Sequence, residues 1–259
     1  MRVHPTAIVD PSARLGPEVE VGAYAIIGPG VTVGARCRIG PHACLGGPMD
    51  LGEACEVGFS AAVGHDPQVK GKRGPWGRTR IGARNVFREF SQVHRSMHED
   101  GETVIGDDGY FMANAHVAHD CVVGDGVVIC NGGLLSGHVT VGDRAFLSGN
   151  VAVHQFVRVG ELAMIAGLAS VERDAPPFGL VVGARPPELQ GLNVVGLRRA
   201  GLDAAARLAL KDAYRTLFRS DLPLAARLEA VRPATPEVER LVAFVASSKR
   251  GVIGFRASS

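Results

Sequence analysis

The 259-residue chain is short of aromatic side chains, which make up 5 % of it, and short of net charge, at +2. Scarce rings exclude a core packed around large planar groups. A balance of +2 with a pI near 8.4 lacks the concentrated basic face of a nucleic-acid binder, so no nucleic-acid partner is expected. The five cysteines (Cys37, Cys44, Cys55, Cys121, Cys130) show no C-x2-C spacing, which excludes the common zinc frameworks. Their odd number, without a signal peptide, suits reduced thiols in the cytoplasm. No apolar run approaches the ~20 residues of a membrane span, so no integral membrane segment is expected.

What the chain does have is glycine, 34 residues of it, and 46 % apolar side chains set in a strict period. Every sixth residue from Val9 is aliphatic: Val9, Leu15, Val21, Ile27, Val33, Ile39, Leu45, Leu51, Val57 and Val63. The phase resumes at Ile81, Phe87 and Val93, then runs from Ile105 through Phe111, Val117 and onward to Val171. Glycine follows most of the early anchors, from Gly16 to Gly64. Two residues before each anchor stands a small or β-branched residue, such as Ala7, Ala25, Cys37, Ala115, Cys121 or Val139. Alternate residues of a strand point the same way, so anchor and small residue both face inward. Each glycine is expected to turn a corner at positive φ, where the missing Cβ removes the penalty.

Six residues thus make one short strand and one corner, and three faces close an 18-residue triangular coil. Stacked coils bury a column that no coil buries alone. The class is mainly β, a parallel β-helix of hexapeptide repeats. Parallel crossovers are nearly always right-handed, and the period alone leaves the hand open. Cys37, Cys55 and Cys121 take the small inward position and read as core.

Residues 65–80 and 95–103 break the phase with polar, charged or glycine-rich sequence and are expected to be expelled as functional loops. Past Pro176-Pro177 the repeat stops. From Leu202 a helical period takes over: Asp203 caps a helix carrying Leu208, Tyr214, Leu217 and Phe218, Leu224–Val231 forms a second, and Pro236 opens a third. The expected division is a β-helix over 1–185 and an α-helical cap over 186–259.

Histidines concentrate in Asn114-Ala115-His116-Val117-Ala118-His119-Asp120, with His138 one coil further on and His154 beyond it. Parity from Val117 turns His119 inward, unless the chain rounds a corner at Ala118 and swings it out; counting leaves both open. A neutral imidazole suits removal of a proton from an alcohol near pH 7, and a neighbouring carboxylate holds its tautomer. A backbone N–H near Gly137 is placed to meet the oxyanion of a thioester's tetrahedral intermediate. No Ser or Cys stands in a nucleophile context, which favours direct transfer. The competing reading makes these surface histidines between rungs. A zinc site of the trimeric carbon dioxide hydratase kind needs H-x4-H, whereas the close pair here is H-x2-H, so no metal is expected.

The segments NAHVAHDCVVGD, LLSGHVTVGD, AVHQFVRVG, DAPPF and GLNVVGLRRAG, spread over nearly the whole chain, resemble the UDP-N-acetylglucosamine 3-O-acyltransferases of lipid A synthesis. The resemblance implies a left-handed β-helix. It also implies a homotrimer with sites between subunits, and transfer of a β-hydroxyacyl group from acyl carrier protein to the sugar 3-hydroxyl. No cofactor is implied beyond the carrier-protein thioester. By position it makes His119 the general base, Asp120 its supporting carboxylate and Gly137 the oxyanion donor. His116, His138, His154 and Gln155 line the sugar and acyl site. Gln68 and Lys70 (or Lys72) belong to the sugar-binding loop, Asn193 and Arg199 to the nucleotide-phosphate contacts, and Gly167 to the gauge of acyl length.

The chain departs from the family pattern on the acceptor side, with Val69 for an aspartate, Val195 for a glutamate and Ala200 for an arginine. A sibling acyltransferase with another nucleotide-sugar acceptor, such as a 3-amino sugar, is therefore the alternative. The N-acyltransferase of the same pathway carries an N-terminal uridine-binding domain, for which a repeat beginning by residue 7 leaves no space. Coenzyme A-dependent acetyltransferases lack the helical cap and the H-Q-F segment. A non-catalytic scaffold has no use for the His/Asp/Gly set. Arg144, Arg158, Arg173, Lys249 and Arg250 are the candidate dock for an acidic carrier protein.

Overall fold

The computed structural model describes residues 1–255. Strands of two to five residues succeed one another from Arg2–Val3 to Glu188–Leu192 and sort into three sheets of eleven, nine and eight strands. The chain visits the three faces in turn. Where no excursion intervenes, partners along each face from the first strand to Val171 are 18 residues apart and parallel: Glu20 opposite Arg38, Ile26 opposite Cys44, Thr140 opposite Arg158. The coil is a left-handed β-helix, a triangular prism.

The anchors fill its axis. Val21, Ile39, Leu45, Phe87, Phe111, Val117, Leu135 and Ile165 are all buried, as are the small partners Ala25, Cys37, Cys55, Ala115 and Cys121. Burial pushes the Cys121 thiol up to about 12, so it is an inert core group. On neighbouring rungs the rings of Phe87 and Phe111 stack at 4.8 Å.

Gly64 takes the expected positive φ, at 78°, but the other glycines after the anchors do another job. Positive φ falls two residues later, and among the described residues eighteen other than glycine adopt it, including Glu18, Arg36, Asp120, His138 and Phe156. The glycine itself is demanded by close approach: a Cβ at Gly34 would stand 2.6 Å from the Glu53 nitrogen, and one at Gly52 2.4 Å from the Gly82 carbonyl. Successive rungs pack backbone to backbone there, and no side chain fits.

The two excursions are narrower than expected over 65–80 and 95–103. His65 ends the strand Ala62–His65, while Arg78–Ile81 and Glu102–Ile105 are paired strands, which confines the loops to 66–77 and 95–101. β-Structure also persists beyond Pro176-Pro177. Gly179–Val182 adds to the first sheet beside Met164–Ile165, and Glu188–Leu192 pairs with it antiparallel. The expected division at 185–186 falls in that hairpin's turn, and residues 256–259 of the second range lie outside the described residues.

Among the described residues four helices follow: α1 (Val194–Arg199), α2 (Ala204–Phe218), α3 (Leu224–Ala230) and α4 (Pro236–Ala246). Asp203 caps α2 as expected, its side chain accepting the Ala206 N–H, and Thr235 caps α4 ahead of Pro236. Helix α3 ends one residue before Val231, which is extended. Helix α1 went unread because six residues are too few to show a period. The cap is tied to the prism at Asp174, 1 % exposed, which accepts from the Arg158 guanidinium and the Ser248 hydroxyl, both at 2.9 Å. Arg158 also donates to the Phe244 carbonyl and lies over that ring. It is a strut between prism and cap, which removes it from the expected carrier-protein dock.

Candidate active site

The corner at Ala118 settles the orientation of His119. The strand His116–Val117 ends there, Asp120 takes φ 60°, and the His119 side chain turns outward with 17 % of it exposed. Its Nδ1 lies 2.8 Å from Asp120 Oδ2. A carboxylate only accepts, so Nδ1 carries the proton and Nε2 keeps its lone pair. Among the described residues Nε2 makes no hydrogen bond, which leaves it available as a base.

Asp120 is held from several sides, mostly by the 95–101 loop. The Ser96 hydroxyl donates to Oδ1 and the Met97 N–H to Oδ2 at 3.2 Å, while the Asp120 N–H donates to Thr103 Oγ1 at 2.7 Å. Burial pushes its carboxyl up. The hydrogen bonds from Ser96, His119 and Met97, with the His138 ring nearby, outweigh burial and hold it below the ordinary aspartate value. It therefore stays ionised and orients the imidazole rather than sharing its proton. Ser96 and Met97 were missed in the sequence, since nothing in an expelled loop marks which residues fold back, and Thr103 was missed because its strand, Glu102–Ile105, begins inside the stretch read as loop.

One coil on, Gly137 occupies the position equivalent to His119. A Cβ there would stand 2.5 Å from His119 Cε1. The absent side chain is what admits the imidazole, and among the described residues the Gly137 N–H has no hydrogen-bond partner. The next equivalent position is Gln155, exposed. The neighbouring column is Asp120, His138 and Phe156, all at positive φ. His138 meets His119 edge-on at 5.2 Å and stacks on Phe156 at 4.6 Å with the planes 7° apart. Burial, opposed by Asp120 and helped by the neighbouring histidines, lowers the His138 pKa.

His116 lies on the second face, one turn of the strand before the corner, with its Nδ1 3.3 Å from Gln92 Oε1. Burial first and the adjacent His94 second lower it to about 4, so it is neutral near pH 7. His94, which sequence reasoning passed over, packs 5.0 Å from it; its Nδ1 meets the Asp66 carbonyl at 2.7 Å, and its Nε2 is buried without a partner. The exposed His154 stands 3.3 Å from the Arg250 guanidinium, beside an open cavity of about 580 Å³ lined also by Glu172, Arg173, Arg185 and Lys249.

The remaining expected site residues lie elsewhere in the chain. Gln68 and Lys70 are exposed in the 66–77 loop; it is Lys72 that reaches the site's margin, donating to the Met97 carbonyl. Gly167 sits on the prism edge between first and second faces, where its Cβ position faces the Gly149 carbonyl. Asn193 caps α1, accepting the Gly196 N–H and donating to the Leu162 carbonyl on the third edge, and Arg199 is exposed at that helix's end. One chain therefore gathers His116, His119, Asp120, Gly137, His138 and Gln155, and leaves Gly167, Asn193 and Arg199 on other edges.

Comparison with known proteins bears on the fold and the family. Residues 174–253 match the second domain of the UDP-N-acetylglucosamine O-acyltransferases, and residues 12–47 and 102–137 match the bacterial transferase hexapeptide repeat. The acyl carrier protein–UDP-N-acetylglucosamine O-acyltransferase of Syntrophobacter fumaroxidans is 46 % identical over 98 % of this chain and 100 % of its own. That of Trichlorobacter lovleyi is 52 % identical over 97 % and 99 %. Solved UDP-N-acetylglucosamine acyltransferases superpose closely: Campylobacter jejuni with TM-score 0.93 at 32 % identity over 98 % of this chain and 100 % of its own, Arabidopsis with 0.86 at 33 % over 97 % and 99 %. With relatives this similar over their whole length, and the prism, cap and histidine corner in place, the chain belongs to the UDP-N-acetylglucosamine O-acyltransferase family.

Proposed function

We propose that the chain transfers a (3-hydroxy)acyl group from acyl carrier protein to the 3-hydroxyl of UDP-N-acetylglucosamine, the first step of lipid A biosynthesis. The observation that carries the chemistry is the His119 ring, fixed by Asp120 at 2.8 Å and lying against the bare Gly137 backbone, with Nε2 free. Nε2 takes the proton of the sugar hydroxyl as the oxygen attacks the thioester carbonyl. The Gly137 N–H receives the oxyanion, a contact worth roughly 3–4 kcal/mol in comparable sites. Collapse expels the carrier thiolate, which recovers the proton from the His119 imidazolium. No covalent enzyme intermediate forms. The curated relatives are named O-acyltransferases, which favours a hydroxyl over a 3-amino acceptor.

His116, His138, His154 and Gln155 line the acceptor and acyl groove, with Gln68 and Lys70 or Lys72 closing it from the 66–77 loop. Gly167, Asn193 and Arg199 lie on other edges of the prism, which suits a homotrimer whose neighbouring copy brings them to a groove between subunits. Within that assembly, 1–185 supplies the catalytic prism and 186–259 the cap against which substrates seat. The basic cavity at Arg173, Arg185, Lys249 and Arg250 suits the acidic carrier protein. We place the enzyme in the cytoplasm; its five free cysteines suit a reducing compartment, and no described helix is long and apolar enough to cross a membrane.

The test is a mass-spectrometric screen of carrier-protein thioesters of several chain lengths against UDP-N-acetylglucosamine and its 3-amino analogue. An ester product with the hydroxyl sugar is expected. Amide product alone would replace the acceptor, and no product with any pair would defeat the reading.

A further inference from the structure

Beside the proton-transfer pair, among the described residues, His98, Asp120 and His138 bring two imidazole nitrogens and a carboxylate oxygen within 4.8 Å of one another. Two independent features of the fold create this cluster. Asp120 and His138 occupy equivalent corner positions 18 residues apart, at φ 60° and 61°, so the coil itself stacks them. His138 Nε2 stands 3.8 Å from Asp120 Oδ2, too far for a hydrogen bond, and the Phe156 stack fixes its plane. His98 arrives from the 95–101 loop, pinned through its backbone: its N–H donates to Ser96 Oγ at 2.9 Å and its carbonyl accepts from the Gly101 N–H at 3.0 Å.

The His98 ring is exposed and lies 6.0 Å from that of His138, and among the described residues neither ring makes a hydrogen bond. Two free imidazoles around an ionised carboxylate are a donor set for a borderline cation such as zinc, with a fourth position for water. Bonds of about 2.0–2.1 Å in a tetrahedral site place ligand atoms roughly 3.3 Å apart. The Asp120–His138 gap is already near that, and rotation of the exposed His98 side chain supplies the rest.

We propose that His98, Asp120 and His138 form a binding site for a zinc-class divalent cation, and that its occupation switches acyl transfer off. A cation on Asp120 competes with the His119 Nδ1–H for the same carboxylate, and its charge opposes formation of the imidazolium that accepts the substrate proton. The inhibitory half rests on the acyltransfer reading above. The binding half rests on geometry alone.

The experiment titrates chelator-treated full-length protein with cobalt(II) chloride, followed by absorption, then with zinc chloride, and measures transfer in parallel. Expected are one cobalt per chain with ligand-field bands of nitrogen and oxygen ligation, displacement by zinc, and inhibition that tracks zinc occupancy. His98→Ala, an exposed loop change, should weaken cobalt binding on the order of tenfold to a hundredfold, as lost metal-site contacts do. Its metal-free turnover should match the wild type, and the zinc needed for half-inhibition should rise by the same factor. Absence of stoichiometric cobalt binding, a thiolate charge-transfer band placing the metal on cysteine, or equal binding by His98→Ala would overturn the site. Stoichiometric zinc without loss of turnover would overturn the switch. A protein that binds cobalt as described but transfers no acyl group would uphold the site and sink the acyltransfer reading.

Discussion

Two edges of the prism offer outward side chains at their corners and put them to different use. Along the edge between first and second faces, Tyr24, His42, Phe59 and Phe90 stack in a ladder with ring centroids 5.1, 5.5 and 5.6 Å apart. Along the edge between second and third faces, Asp120, His138 and Phe156 continue the same kind of column, but beside it His119 leans over a bare Gly137. Histidine at a corner is thus not enough for chemistry, since His42 is only a rung of an aromatic stack. What differs is a missing Cβ one coil away and a loop, 95–101, that folds back to orient a carboxylate.

The sharpest way to break this contrast is to remove the two histidines in turn. His119→Ala should lower kcat by about 10³–10⁴-fold with an unchanged melting temperature, as expected when a positioned base is lost. His42→Ala should leave kcat within experimental error. Equal effects from the two would erase the distinction between the edges. Next in size, Gly137→Ala places a methyl against the His119 ring and should cost roughly 10²-fold in kcat through misplacement of the base. An active, well-folded Gly137→Ala enzyme would show that the gap is incidental.

A pH effect on stability is smaller. His116 is held at about 4 in the folded protein against 6.5 ordinarily, so between those values the unfolded chain binds a proton that the folded one refuses. Stability is present above about pH 6.5 and is lost as pH falls through 4. Thermal melts from pH 7 down to 4.5 should decline more steeply for the wild type than for His116→Gln; parallel curves would contradict the assignment. Smallest of all, Phe90→Ala on the ladder should cost about 1 kcal/mol or less in urea unfolding and nothing in turnover, because the ring is half exposed and gains little beyond one edge contact.

The prism was legible in the sequence because its core repeats. Each inward position recurs at a fixed interval, and Val117, Leu135 and Val153 declare themselves by spacing alone. The role of the glycines was not legible. Close approach between rungs and positive φ both select glycine, and only the folded structure shows that Gly34 serves the first while Arg36 and Asp120 bear the second. At the site, His119, Asp120, Gly137 and His138 were visible as one-coil neighbours. Ser96 and Met97 were not, since they reach Asp120 through an aperiodic loop, nor was Thr103, which lies in a strand that sequence reading assigned to the excursion. His94 was hidden by its burial in a strand otherwise read as core, and the hairpin strand Glu188–Leu192 and helix α1 were too short to impose a pattern.

The 18-residue coil also dictates how such a molecule can change length. Inserting a single residue within a strand would reverse the parity of everything after it and turn the column inside out. Adding one whole turn would instead push the basic cavity at Arg250 away from His119 by a single inter-strand step, about 4.8 Å. Any groove running along this edge is a ruler marked in whole rungs, and finer graduation has to come from side chains such as Gln155 that project between the marks.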